Sequence, residues 1–478
     1  MRKPGPFNFD NQVIRYYLGS GIIRDQGNFL YNDTKCKKKT TNFINIKGLK
    51  VKQVLLNELK IINPIQKALA AQGYSEATPI QAEAIPHLLE GLDLLGCAQT
   101  GTGKTAAFAI PILQSLAMGQ GLLKGKRQIR ALVLAPTREL ATQIAESFTA
   151  YGVNLPLRTL VIFGGVGQAP QTRKLEKGID ILVATPGRLL DLINQGFIDL
   201  SHVEHFVLDE TDQMLDMGML HDVKRIITYL PRERQNMLFS ATMPVEIEKL
   251  ADTILKGPVK IAMTPEFSPL DIIEQEVYFV DKANKAALLT YWLKNNEYDS
   301  VLVFSRTKHG ADKIVKELNK KGFTAVAIHG NKSQANREQA LHAFKKRKTR
   351  ILVATDIAAR GLDIQELSHV INYNLPEVPE TYIHRIGRTG RAGLGGKAIT
   401  FCDFEEKPLL RDIQKRIGKT LPEVKEHPYP LVNTVIVPKA KTSQQAAAAR
   451  PQKPATAKTA AYSQQGAHRA KPNPRKIL

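Results

Sequence analysis

Between about residues 55 and 425 the chain alternates short apolar runs with amphipathic stretches. "LDLLGC" (92–97), "ALVLAP" (131–136), "TLVIFGG" (159–165), "DILVATP" (180–186) and "HFVLDE" (205–210) are too short for helices and have no polar face. Runs of this kind predict strands buried on both sides. Helical patterns such as "GRLLDLINQG" (187–196) lie between them. The alternation predicts a parallel sheet with helices on both faces. A less regular stretch, "KGPVKIAMTPEFSPLD" (256–271), carries three prolines and predicts a break in regular structure. The rhythm then restarts with "SVLVFSR" (300–306), "TAVAIHG" (324–330), "RILVATD" (350–356) and "HVINYNLP" (369–376). The predicted fold class is α/β, with two tandem parallel-sheet domains at 55–262 and 272–425 joined by a linker at 263–271.

The ends of the chain read differently. Residues 1–54 include "KCKKKTTNFINIKGLK" and show no sustained period, while residues 426–478 are rich in Ala, Gln, Pro and Lys. Both are expected to be disordered extensions, because neither offers enough apolar surface to offset ordering. The net charge of +22 is concentrated there: +7 in residues 1–50 and +9 in residues 431–478, leaving +6 for the middle. Basic arms of this type suit a polyanion, nucleic acid above all. A hydrophobic share of 43% supplies real cores, and the three cysteines form no metal-ligand or disulfide pattern. The start lacks the apolar core of a signal peptide, and no run reaches the roughly 18 residues of a membrane span. The expectation is a cytoplasmic protein with no membrane partner.

Two stretches carry chemistry. "AQTGTGKT" (98–105) follows the first buried run and opens the helical pattern "KTAAFAI". Gly101 and Gly103 let backbone N–H groups curl around phosphates, Lys104 reaches the β and γ oxygens, and Thr105 presents a hydroxyl to Mg²⁺. "VLDETDQML" (207–215) follows another buried run and sets Asp209, Glu210 and Asp212 within four positions. Carboxylates at a strand end are costly to bury alone and need water, a cation or a basic partner. Asp209 is placed to hold Mg²⁺, and Glu210 to orient and deprotonate an attacking water. Together the two stretches imply an NTPase.

From about Leu56 to about Lys425 the chain resembles the DEAD-box RNA helicases of superfamily 2. "GYSEATPIQ" (73–81) resembles the family's Q motif, which implies that Tyr74, Thr78 and Gln81 serve the adenine, while Ala98, Gln99, Thr100, Gly101, Thr102 and Gly103 line the phosphates. An amide side chain pairs with adenine N6 and N7, whereas guanine presents another pattern. "PTRELA" (136–141), "GG" (164–165) and "TPGR" (185–188) match RNA-backbone motifs, implying contacts from Pro136, Thr137, Arg138, Gly164, Gly165, Thr185, Pro186, Gly187 and Arg188. "SAT" (240–242) matches a coupling segment in which Ser240 and Thr242 engage Asp212. In the second half, "VFSRT" (303–307), "QANR" (334–337) and "ATDIAARGLD" (354–363) imply RNA contacts from Arg306, Gln334, Arg337 and Thr355, with Asp363 at the ribose. "HRIGRTGR" (384–391) implies a coupling role for His384 and arginine fingers at Arg388 and Arg391. The resemblance also implies RecA-like domains, ATP and Mg²⁺ as cofactors, and RNA gripped through phosphates and 2′-hydroxyls without regard to base sequence. Ribosomal and RNA-degradation proteins are further candidate partners.

The chain departs from the family at a few points. Thr211 stands where the family has alanine, so the box reads D-E-T-D; its hydroxyl is able to bond a nearby backbone carbonyl. Its extra volume adds packing strain of about 1–3 kcal/mol if the site is tight, and a working, slower site is expected. Gln213 replaces a common arginine, and Leu56 stands where an upstream aromatic aligns. "AAQGYSEATPIQAEAIPHLLEG" (70–91) and the basic tail resemble a bacterial, RhlE-like branch. The leading expectation is an ATP-dependent RNA helicase. Its alternatives are an ATP-gated RNA clamp with weak hydrolysis and a DNA-directed superfamily-2 enzyme.

Overall fold

The apolar runs become the central strands of two parallel sheets. In the computed structural model of this protein the described residues are 44–45, 54–99, 101–119, 127–263, 272–359, 364, 367–390 and 396–433. The chain divides into two compact units, one centred on residues 1–268 and the other on most of 269–478.

Among its described residues the first unit holds eight strands: β1 (Ile44–Asn45), β2 (Leu94–Cys97), β3 (Ala131–Leu134), β4 (Thr159–Ile162), β5 (Ile181–Ala184), β6 (His205–Leu208), β7 (Gln235–Ser240) and β8 (Val259–Ala262). Their order across the sheet is β1-β8-β2-β7-β6-β3-β5-β4, and each pairing is parallel. Successive side chains of a strand face opposite sides, so each strand feeds two cores. Val133, Val183, Val207, Met237 and Phe239 pack with Phe108, Ile110 and Phe148. Leu132, Leu182, Phe206, Leu208 and Leu238 pack with Leu189, Val223, Ile247 and Leu250 on the other face. That double burial is why these segments read as continuous apolar runs.

Among its described residues the second unit has six strands: β9 (Ile273–Phe279), β10 (Val301–Phe304), β11 (Ala325–Ile328), β12 (Ile351–Ala354), β13 (His369–Asn372) and β14 (Gly396–Cys402). Their order is β11-β12-β10-β13-β14-β9, again parallel. Val301, Val303, Ile351, Val353 and Ile371 pack around Trp292 on one face. Ile273, Val277 and Ala398 meet Tyr382 and Ile386 in another core.

Each apolar run named above contains a strand, but the structure corrects the reading elsewhere. The stretch expected to be irregular contains β8, because Pro258 lies one residue before the ladder and costs it no donor. Val259 N–H then bonds the Asp93 carbonyl at 2.8 Å. Residues 44–45, expected to be unstructured, pair with β8 as β1. Val432 and Asn433, inside the expected tail, donate their N–H groups to Asp281 Oδ1 at 3.3 and 2.9 Å. The rest of the two extensions and residues 264–271 of the linker lie outside the described residues. Among the described residues no helix is long and apolar enough to cross a membrane.

Candidate nucleotide and nucleic-acid site

A parallel sheet gathers the C-terminal ends of its strands along one edge, where loops can converge on a ligand. In the first unit that edge carries the stretches singled out from the sequence. The phosphate loop leaves β2 and the acidic box leaves β6, while β7 lies between those strands and ends in Ser240. The loops after β3, β5 and β4 occupy the other side of the same edge.

The phosphate loop is tightly wound. Helix α1 (Asn63–Ala71), helix α2 (Pro79–Leu89) and helix α3 (Lys104–Met118) cover the sheet here, and α3 begins directly after the loop. Its unpaired N–H groups and its dipole favour an anion at that end. Gly103 has φ +95°, and a Cβ there would come within 2.5 Å of Gln81 Nε2 and 2.7 Å of Thr78 Oγ1. Only glycine fits that approach. Lys104 is 5% exposed and its Nζ donates to the Ala98 carbonyl at 2.8 Å. Thr102 Oγ1 donates to the Gln99 carbonyl at 2.8 Å.

Gln81 ties the Q segment to this loop. Its Nε2 donates to the Gly103 carbonyl at 3.1 Å, and its Oε1 accepts the Thr78 N–H at 3.0 Å. An amide has two N–H groups and two lone pairs, so one of each remains. Tyr74 is exposed and meets Tyr151 edge-on at 6.0 Å. Leu56 is buried, donates its N–H to the Ser75 carbonyl at 3.0 Å, and lines with Tyr74 a cleft of about 540 Å³.

The acidic box is almost wholly buried, with Asp209 and Glu210 each 2% exposed. Burial pushes the Asp209 carboxyl up to about 6; Lys104 opposes that, while Glu210 and Asp212 add to it. A divalent cation would relieve such a cluster, and the Asp209 carboxylate and Thr105 hydroxyl are the hard oxygen donors it prefers. Among the described residues no group of three or more His, Cys, Asp or Glu is arranged to hold a metal. A cation here would therefore complete its shell from phosphate and water. Glu210 sits at φ 51° and ψ 51°, a left-handed backbone costly for a residue with a Cβ.

The S-A-T segment closes on the box. Thr242 donates to Asp212 Oδ2 through its N–H at 3.0 Å and its hydroxyl at 3.2 Å. Asp212 N–H donates to Ser240 Oγ at 3.2 Å. Thr211 is fully buried, and its hydroxyl bonds the Phe239 carbonyl at 3.0 Å, the kind of partner open to it.

The motifs after β3, β4 and β5 also come together. A Cβ at Gly165 would lie 2.0 Å from Arg138 Nη2, so that guanidinium rests on the glycine backbone. Burial lowers the Arg138 pKa. Thr137 accepts the Leu140 N–H at 3.3 Å and caps helix α4 (Arg138–Tyr151). Thr185 precedes the helix that starts at Pro186, and Arg188 Nη2 reaches the Val166 carbonyl at 3.3 Å. Gly164 and Gly187 face open space.

In the second unit, Arg306 follows β10 and bonds the Leu375 carbonyl at 3.1 Å and Glu406 Oε1 at 3.0 Å. Thr355 follows β12 and bonds the Ile328 carbonyl through its N–H at 3.4 Å. Gln334 and Arg337 occupy the first turn of the helix Gln334–Lys345. His384 is half-buried and Arg388 is buried. One residue escaped the sequence reading although it sits inside the quoted "HRIGRTGR". Arg385, 2% exposed, grips Asp356 through Nε at 2.5 Å and Nη2 at 2.8 Å, and also bonds Asn372 Oδ1 at 3.1 Å. It fastens strand ends to the helix that precedes Arg388. Thr100, Asp363 and Arg391 lie outside the described residues.

Comparison with known proteins bears on this arrangement. The family profile "DEAD/DEAH box helicase" matches residues 78–250, and "Helicase conserved C-terminal domain" matches residues 284–393. The chain is similar to the DEAD-box ATP-dependent RNA helicase CshA of Geobacillus kaustophilus, 42% identical over 368 residues, covering 77% of this chain and 78% of that one. It is 41% identical over 373 residues to CshA of Bacillus subtilis, covering 78% and 74%. Among solved structures it is similar to S. cerevisiae Dbp5 bound to RNA and ADP BeF3, at TM-score 0.67 and 30% identity, covering 77% of this chain and 95% of that one.

Proposed function

This chain belongs to the DEAD-box ATP-dependent RNA helicases, and from that premise we propose how its own residues divide the work. ATP binds at the edge of the first sheet between β2 and β6. Backbone N–H groups of the loop and the α3 terminus take the phosphates, and Lys104 exchanges the Ala98 carbonyl for β and γ oxygens. Thr105 and Asp209 would hold Mg²⁺, whose charge would offset that of the phosphates. Glu210 orients the attacking water and takes its proton. Arg388 and Arg391 stabilise charge on the transferring phosphoryl group, and Asp363 takes the ribose. RNA lies along the motif edges, held by backbone contacts from Arg138, Arg188, Arg306 and their neighbours. The working parts are a first RecA-like domain at 55–262, a linker at 263–271 and a second at 272–425. The protein acts in the cytoplasm. Membership of an RhlE-like branch is proposed from "AAQGYSEATPIQAEAIPHLLEG" (70–91) and the basic tail.

The observation that carries the reading is the buried contact set around the box: Asp209, Glu210 and Asp212 sealed beside Lys104, with Thr242 already locked onto Asp212. Keeping such a cluster ionised favours compensating positive charge opposite it. The test is steady-state ATP hydrolysis by the full chain with RNA, without nucleic acid and with DNA. Turnover should rise with RNA alone. Lys104→Ala should abolish it, and Glu210→Gln should bind nucleotide yet stall. Wild-type turnover by Glu210→Gln would refute the water-orienting role.

A further inference from the structure

We propose that Thr211 is a positioning residue for hydrolysis: its hydroxyl clamps the left-handed turn at Glu210 to strand β7. The inference rests on the role proposed above for Glu210.

The turn is held firmly on its upstream side. Asp209 N–H bonds the Leu134 carbonyl at 3.0 Å, and Glu210 N–H bonds Asp209 Oδ1 at 3.0 Å. Downstream, the helix Thr211–Asp216 has only six residues and little stability of its own. A strained backbone persists only where its surroundings over-determine it. Within the helix the Glu210 carbonyl accepts the Gln213 and Met214 N–H groups at 3.0 and 3.2 Å, and Asp212 N–H reaches Ser240 Oγ at 3.2 Å. The side chain next to the strained residue can add a further anchor from outside.

Strand β7 supplies it. The β6–β7 pairing ends at Leu208↔Leu238, so Phe239 is one residue past the last pair. The Ser240 carbonyl turns toward β2, where it accepts the Ala98 N–H at 3.0 Å. Consecutive carbonyls of a strand point opposite ways, so the Phe239 carbonyl faces the side that β6 has just left. The Thr211 hydroxyl meets it there at 3.0 Å. Phe239 is itself tightly packed: its ring meets Phe108 at 5.5 Å and covers Gly96, where a Cβ would lie 2.6 Å away. The clamp thus anchors the Glu210 turn to the strand and helix that flank the phosphate loop. Alanine in the same place makes no such bond.

Steady-state RNA-stimulated ATP hydrolysis by the full chain tests this with Thr211→Ser, Thr211→Ala, Thr211→Val and Glu210→Gln, each checked by thermal melting. Valine keeps the shape but leaves the Phe239 carbonyl unpaired, whereas alanine leaves room for water to pair with it. The expected order of kcat is Thr, Ser, Ala, Val. The loss should be about tenfold in Thr211→Val, serine should recover most of it, and KM for ATP should stay within about twofold. Should Thr211→Val fail to fold, serine above alanine carries the same conclusion. An order following size, with valine equal to threonine and serine no better than alanine, overturns the clamp in favour of packing. A shift in KM alone overturns it as well. Full turnover in Glu210→Gln would overturn the underlying role of Glu210, whereas an inactive Glu210→Gln beside a fully active Thr211→Val removes only the clamp.

Discussion

Replacing Gln81 by alanine should erase nucleotide choice, and the size of the effect follows from the contacts its amide makes. The amide is 6% exposed, with Nε2 on the Gly103 carbonyl at 3.1 Å and Oε1 on the Thr78 N–H at 3.0 Å. The N–H and lone pair left over match the acceptor N7 and donor N6 of adenine. Guanine offers two acceptors there, so the remaining lone pair would face an oxygen. A mispaired polar group in a dry site costs about 1–3 kcal/mol, so the wild type should prefer ATP over GTP by roughly five- to 150-fold in kcat/KM. Gln81→Ala removes the discriminating pair and also frees the Gly103 carbonyl from its tether. Two neutral bonds at about 0.5–1.5 kcal/mol each predict a fall in kcat/KM for ATP of roughly five- to 150-fold, with a smaller fall for GTP. The assay is steady-state hydrolysis of each nucleotide at saturating RNA. An ATP-to-GTP ratio unchanged in Gln81→Ala would show that base selection lies elsewhere.

Two further outcomes follow from the same structure. Gly103→Ala forces φ +95° on a residue with a Cβ and drives that Cβ to 2.5 Å from Gln81 Nε2, so nucleotide affinity should collapse while the fold survives; titration with a fluorescent ATP analogue reads this, and unaltered affinity would contradict the tight loop. His205 is buried with Nδ1 at 3.0 Å from Gln235 Oε1 and Nε2 at 2.9 Å from Ser115 Oγ, and burial lowers its pKa. Below the unfolded histidine value of about 6.5 the unfolded chain binds the proton and the folded one does not, so stability should fall with pH and level off below the folded pKa. The gap in melting temperature between wild type and His205→Gln should therefore change between pH 7.5 and 5.5, and a constant gap would remove His205 as its source.

The sequence alone determined what depends on neighbours in the chain. Strands buried on both faces, such as Ile181–Ala184, must be apolar throughout, so their positions are visible without any partner. The phosphate loop and the acidic box are equally local, because Gly103, Lys104 and Thr105, or Asp209 and Glu210, act from adjacent positions. Strand β7 shows the limit. "QNMLFS" opens with two amides, yet its six residues are buried, because the partners come from far along the chain. Asp93 Oδ1 accepts the Asn236 N–H at 2.7 Å, and Gln235 Nε2 donates to the Leu88 and Leu92 carbonyls at 3.0 and 2.8 Å. Arg385 was hidden for the same reason, since its meaning lies in Asp356, Asn372 and Asn374. Only the tertiary structure decided that β7 lies between β2 and β6, and therefore that Thr211 meets the Phe239 carbonyl and Asp212 meets Thr242. Residue type shows which groups can bond. Strand order decides which of them come within the three ångströms or so over which a hydrogen bond acts.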